Sequence, residues 1–173
     1  MTFNQKLANY VLGNFTATDM PDIAVTGIEE GFESESLLIL AGFCKNENAH
    51  EIVSYFDKAL CELKIELISE KEAAIEIIHF YSYEIINDRI DVLKGMSLIA
   101  KSVLLKSHLF EESQVYAYDS IGFETVYGYY DSYEEILYDY IFEEHQDKIK
   151  LIAKAEHEIK NELKEWIENF KIN

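Results

Sequence analysis

Apolar residues recur at three- and four-residue steps along most of this chain, which is the spacing of amphipathic α-helices. The clearest stripe joins Ile52, Phe56, Leu60 and Leu63, and it continues to Leu67. The chain holds one proline and seven glycines, too few for the many tight turns of an all-β protein. The pattern therefore predicts an all-α fold, a single compact multihelical domain of about seven or eight mostly antiparallel helices.

Several of the predicted helices begin at residues that favour capping. Ser69 and Glu72 form a capping box of the S-x-x-E type, and Asp91 can cap the helix that follows. Ser132 and Glu135 repeat the box, so the sequence predicts that a further helix begins there.

A glycine interrupts the apolar pattern of the helix that follows Asp91. Gly95 costs this helix about 1 kcal/mol relative to alanine. A glycine also lets two chain segments approach closely, so we predict close helix packing at this position.

Composition divides the 173 residues, a length suited to one domain, into three parts. Residues 1–106 read as a helical scaffold, residues 107–147 as an acidic and tyrosine-rich segment, and residues 148–173 as an amphipathic closing helix. The apolar stripe of the closing helix contains Ile159, Leu163, Trp166 and Phe170.

The middle part is unlike its flanks. From Ser107 to Asp147 there is no Lys or Arg, whereas eleven residues are acidic and eight of the twelve tyrosines fall here. Gly122, Gly128 and their β-favouring neighbours leave residues 111–130 open as a loop, a short helix or a small hairpin.

The charge of the whole chain restricts its partners. The formal net charge is −18, which repels nucleic acids and anionic membrane surfaces. We therefore expect neither as a direct ligand, whereas a basic protein partner is compatible with this charge. The first residues lack the apolar run of a signal peptide and no stretch is long enough to span a membrane, so we expect a cytoplasmic protein.

Candidate catalytic chemistry is sparse. Glu47 with His50, and Glu76 with His79, have the Glu-x-x-His spacing of di-metal sites in helical bundles. Glu76 and His79, however, lie opposite the apolar face of their predicted helix, which indicates solvated surface rather than inward ligands. The sequence also lacks a phosphate-binding Gly-rich loop and a Gly-x-Ser-x-Gly elbow. We expect no enzyme activity, no metal and no cofactor.

One stretch of the first part resembles a known pattern. Residues 21–42 read PDIAVTGIEEGFESESLLILAG. They combine a proline and an alanine with E-x-G, S-x-S-L and L-A-G, and in this they resemble small uncharacterised all-helical proteins of bacteria. The likeness continues through residues 56–63 and 85–96, so it covers residues 21–105. It implies an all-α fold, carries no catalytic signature and leaves out the acidic, tyrosine-rich segment.

That segment suggests a binding surface. Tyrosine is favoured at interfaces because it buries a large ring and keeps a hydrogen-bonding hydroxyl, and carboxylates around it would attract a basic partner. The competing interpretation is that some tyrosines face the core while the acids stay solvated. The predicted partner-binding face contains Tyr127, Tyr129, Tyr130, Asp131, Tyr133 and Glu134.

Three hypotheses of function follow. The leading one is a noncatalytic protein-binding module, such as an immunity or inhibitor protein, that binds a basic protein through the acidic face. The alternative is a structural or oligomerisation module whose closing helix self-associates through its apolar stripe. A metal-dependent enzyme is the least favoured.

Overall fold

A computed structural model describes residues 1–44, 47–138 and 145–170, with the backbone alone at residues 145 and 146. All regular secondary structure in this part of the chain is helical, so the predicted all-α fold is confirmed. The α-helices are α1 (Phe3–Val11), α2 (Met20–Glu29), α3 (Glu35–Ala41), α4 (Ala49–Leu63), α5 (Glu70–Ile86), α6 (Val92–Ile99), α7 (Glu124–Tyr138) and α8 (His145–Asn169).

The chain divides into two compact units, residues 1–77 and residues 78–173. The boundary between them falls inside α5. A single domain over residues 1–173 stays a prediction.

In the first unit, α1 to α4 surround one apolar core. α3 packs against α2 and α4, and the buried Ser36 near its start donates both its N–H and its hydroxyl to the Glu62 carboxylate of α4, at 3.0 and 2.6 Å. These hydrogen bonds hold the pKa of Glu62 below its usual range. The side chains of the core are Phe3, Leu7, Met20, Ile23, Ala24, Leu37, Leu40, Ile52, Phe56, Ala59 and Leu60.

Two of the predicted helix starts are confirmed. The Glu72 carboxylate accepts the Ser69 N–H at 2.9 Å, and the Glu72 N–H donates to Ser69 Oγ at 3.3 Å. Asp91 accepts the Lys94 N–H at 3.0 Å and so caps α6. These bonds join residues within one turn, which is why a short sequence pattern suffices to predict them.

In the second unit, α7 packs along α8. The predicted amphipathic character of the closing helix is confirmed, because Ile159, Leu163 and Trp166 of α8 are all buried. The indole N–H of Trp166 donates to the carbonyl oxygen of Ile121 at 2.8 Å, which ties α8 to the segment that precedes α7.

The segment before α7 is built from short helical turns. Residues 111–130 form no hairpin; 3-10 turns occur at His108–Phe110 and Asp119–Ile121. Gly122 follows the second turn with φ +61°, a conformation that glycine adopts without strain. The start of α7 at Glu124 comes directly after this reversal.

The predicted helix start at Ser132 is wrong. Ser132 lies inside α7, where its hydroxyl donates to the Gly128 carbonyl at 3.0 Å. Val126 and Tyr130 of α7 are buried, so packing of the unit stabilises a helix that begins before Ser132, through residues whose own helix propensity is weak. Residues 139–144 of the acidic segment lie outside the described residues.

Candidate functional site

A cleft of about 470 Å³ lies in the second unit, and we call it the α6–α7 cleft. Its volume is in the range of small binding sites. One wall comes from α7, the other from α6 and the turn after it, and Tyr118 also lines the cleft.

The α7 wall is mainly aromatic. Tyr127, Tyr130, Glu134 and Tyr138 line the cleft, and their steps of three and four residues place them on one helix face. Tyr130 is buried, and its hydroxyl donates to Glu134 Oε1 at 2.8 Å. Burial and then the Glu134 carboxylate raise the pKa of Tyr130 far above its usual value, so this phenol stays protonated at physiological pH.

The α6 wall carries both signs of charge. Asp91, Lys94, Ser97 and Lys101 line it. Within the described residues, neither lysine side chain makes an ion pair. The Ser97 hydroxyl lowers the pKa of Tyr130 on the opposite wall, against the larger effects of burial and of Glu134.

A π-turn at Ala100–Leu104 interrupts the helical register of this wall. The Leu105 N–H donates to the Ala100 carbonyl at 2.9 Å, five residues back. Such turns rotate the side chains that follow them and are frequent at functional sites. Here Leu104 and Leu105 both line the cleft.

Two tyrosines that line the cleft, Tyr118 and Tyr127, belong to a chain of aromatic rings. The Tyr118 and Tyr127 rings meet edge to face with centroids 4.8 Å apart, and Phe110 meets Tyr118 in the same manner at 6.0 Å. Burial raises the pKa of Tyr118, and burial with the nearby Asp131 and Glu134 raises that of Tyr127. We call Phe110, Tyr118 and Tyr127 the ring chain.

Asp119 organises the loop that carries Tyr118. Its carboxylate accepts the backbone N–H groups of Gln114, Val115 and Tyr116 at 2.9, 2.7 and 3.1 Å. These hydrogen bonds hold the pKa of Asp119 below its usual range. The loop is therefore fastened by a carboxylate that stays ionised at neutral pH.

The structure brings three of the six predicted face residues into the cleft. Tyr127, Tyr130 and Glu134 line it. Asp131 is exposed and close enough to raise the pKa of Tyr127, whereas Tyr129 is partly exposed and does not line the cleft. The competing interpretation, that some tyrosines face the core, applies to Tyr133 and also to Tyr130, which is buried although it lines the cleft.

Tyr133 is buried on the α8 side of α7. Its hydroxyl donates to Glu156 Oε1 at 2.9 Å, and burial followed by this carboxylate raises its pKa. Tyr133 therefore supports the packing of α7 on α8 and does not line the cleft.

Several residues of the cleft are absent from the predicted face. Lys94 and Lys101 are seven residues apart in a segment predicted as helix, and that spacing could have placed them on one face. Tyr138 follows Tyr130 and Glu134 at helical steps, but the predicted start at Ser132 obscured this periodicity. Nothing local indicates that Tyr118 meets Tyr127.

The environment of His79 differs from the prediction. The sequence predicts solvated surface, but the His79 ring packs against Trp166 with centroids 4.8 Å apart, and its Nε2–H donates to the Phe170 carbonyl. The apolar face of α5 is wider than the predicted one because α8 covers it as well. Among the residues that the structure describes, no group of three or more His, Cys, Asp or Glu side chains is arranged to hold a metal ion.

The surface required for self-association through α8 is already occupied. Ile159, Leu163 and Trp166 have between 0 and 3% of their surface exposed. A second copy could reach them only if α8 left its own unit.

Comparison of the chain with protein-family models, with curated proteins and with solved structures gave no match. In the described part of the chain, no helix is both long and apolar enough to cross a membrane.

Proposed function

We propose that this chain is a noncatalytic protein-binding module, of the kind that an immunity or inhibitor protein represents, and that the α6–α7 cleft takes a basic segment of a partner protein. The observation that carries the proposal is the α7 wall, where Tyr127, Tyr130 and Tyr138 share one face with Glu134 around an open cleft. Tyrosines in such a setting supply contact area at a low cost in conformational entropy.

Charge supports the same proposal. Between residues 107 and 138 there are seven acidic residues and no Lys or Arg. This field attracts a basic segment and raises its association rate, an effect that salt weakens. Lys94 and Lys101 on the opposite wall repel the same segment, so its positive charges are directed to the α7 side.

The other two hypotheses have less support. The apolar stripe of α8 is buried in its own unit, which disfavours the oligomerisation module. The cleft contains tyrosines, lysines and carboxylates but no His or Cys among its described lining residues, and the hydroxyl of Tyr130 is bonded to a carboxylate that raises its pKa. A binding role accounts for this chemistry better than a catalytic one does.

Peptide selection gives the first test of the proposal. Random 12-residue peptides are selected by display on the protein, and the best binders are expected to be rich in Lys and Arg.

Two tyrosines of α7 then test where these peptides bind. Tyr127→Ala is expected to weaken their binding by about tenfold or more, because it removes a ring from the cleft wall. Tyr129→Ala, the control on the same helix outside the cleft, is expected to change the affinity less than about twofold. Isothermal titration measures both variants at two NaCl concentrations.

Circular dichroism first establishes that each variant keeps its helical content. Selected peptides without an excess of basic residues, a selection that yields no binder, or equal affinities for wild type and Tyr127→Ala would each contradict the proposed function.

A further inference from the structure

Two exposed large apolar side chains belong to the cleft and its ring chain. Leu105 has 74% of its surface exposed and Phe110 has 62%. Leu105 lines the same cleft as Tyr118, and the Phe110 ring meets the Tyr118 ring edge to face. Apolar side chains that are exposed together next to a cleft mark a place where a partner removes them from water.

Hydrogen bonds hold the backbone segments that carry or adjoin these side chains. Leu105 follows the π-turn, and its N–H donates to the Ala100 carbonyl, which holds the backbone at Leu105. On the other side, the Tyr118 N–H donates to Ser113 Oγ at 2.8 Å, and the Ser113 hydroxyl donates to the Leu109 carbonyl at 3.1 Å. A surface held in this way loses little conformational entropy when a ligand binds.

Charge complementarity indicates what covers this surface. Phe110 lies in a stretch without Lys or Arg from residue 107 to residue 147, next to Glu111 and Glu112. A second copy of this chain also has a net charge of −18, and like charges brought together at an interface are unfavourable. An anionic lipid surface is repelled for the same reason. A basic polypeptide is the occupant that the charges favour.

We infer that the basic partner segment carries one large apolar side chain, such as Leu, Ile, Met, Phe or Trp, which packs between Leu105 and the ring chain. The inference rests on the proposed function and adds the specificity of the site. The apolar residue anchors the segment beside Tyr118, and the adjacent Lys or Arg residues lie along the α7 wall toward Glu134. Basic segments without such an anchor bind weakly.

The display-selected 12-residue peptides are the probe. Each is expected to contain one large apolar residue flanked by Lys or Arg, and replacing that residue by alanine is expected to weaken binding by about tenfold or more. Leu105→Ser and Phe110→Ala in the protein are expected to have effects of similar size. Ile149→Ser, which changes an apolar residue of α8 with 55% exposure outside the cleft, is the control and is expected to leave the affinity unchanged.

The outcomes separate this inference from the proposed function. If Tyr127→Ala weakens binding of basic peptides but Leu105→Ser, Phe110→Ala and the anchor replacement do not, the anchor is wrong while the proposed function stands. If Tyr127→Ala also leaves binding unchanged, both are wrong. A loss of affinity in Ile149→Ser equal to that in Leu105→Ser would equally overturn the anchor.

Discussion

Trp166→Ala is expected to lower the free energy of unfolding of the second unit by about 3 to 5 kcal/mol. The indole is buried with 3% of its surface exposed, and it packs against His79, Phe123 and Phe170 at centroid distances of 4.8 to 5.4 Å. Alanine leaves a cavity among these rings and removes the hydrogen bond to the Ile121 carbonyl. Urea titration followed by circular dichroism at the helix band measures the loss.

Two further variants separate the contributions of Trp166. Trp166→Phe keeps most of the apolar contact but leaves the Ile121 carbonyl without its donor, so a loss of about 1 to 3 kcal/mol is expected. Ile149→Ala, on the exposed side of the same helix, is expected to stay within about 0.5 kcal/mol of wild type. Equal stabilities of Trp166→Ala and Ile149→Ala would show that α8 does not pack in this way.

Gly95→Ala is expected to destabilise the second unit, although alanine is the better helix former. A Cβ atom at Gly95 would lie 2.4 Å from Ile85 Cγ1 and 2.6 Å from Ile85 Cδ1, and Ile85 is fully buried. The overpacking costs about 1 to 3 kcal/mol, whereas the gain in helix propensity is about 1 kcal/mol. The difference is a net loss of up to about 2 kcal/mol, which urea titration measures.

Gly128 is the matched control because it also lies inside a helix of the same unit, and a Cβ atom added to it would meet no atom within 4 Å. Gly128→Ala is expected to stabilise the protein by about 0.5 to 1 kcal/mol, since propensity acts there alone. A stabilising Gly95→Ala would be incompatible with the close approach of Ile85 to α6.

Local features account for the parts of the fold that the sequence predicts correctly. The capping box of Ser69 and Glu72 and the cap at Asp91 involve residues a few positions apart. The stripe of α8 is long and regular, so its buried face is evident from periodicity. Gly95 is informative because a glycine inside a strongly apolar helix implies a close neighbour, although only the structure identifies that neighbour as Ile85.

Long-range packing accounts for the parts that were missed. The S-x-x-E pattern at Ser132 is a genuine capping signal, but burial of Val126 and Tyr130 favours a helix that begins earlier, at Glu124. The sequence places His79 on the surface because the predicted face of α5 takes no account of Trp166, 87 residues further along the chain. Contacts of this separation leave no periodic signal in the sequence.

In the candidate site, too, local sequence features predict some residues, and the others depend on long-range packing. A tyrosine-rich acidic segment is visible in composition alone, and three of the six predicted residues line the cleft. Tyr133 and Tyr129 could not be separated from them without the correct start of α7, because the start fixes which positions face α8. The lysines of the opposite wall and the ring chain depend on how α6 and the Asp119 loop meet α7, which is tertiary information.

The binding of a basic segment in the α6–α7 cleft is the central claim. The most direct test follows backbone amide resonances in ¹H–¹⁵N correlation spectra while the selected basic peptide is added to the full-length protein. The largest shifts are expected at residues 91–105 and 118–138, and they should shrink in the Tyr127→Ala variant. Shifts confined to residues 1–77, or equally large in Tyr127→Ala, would contradict the claim.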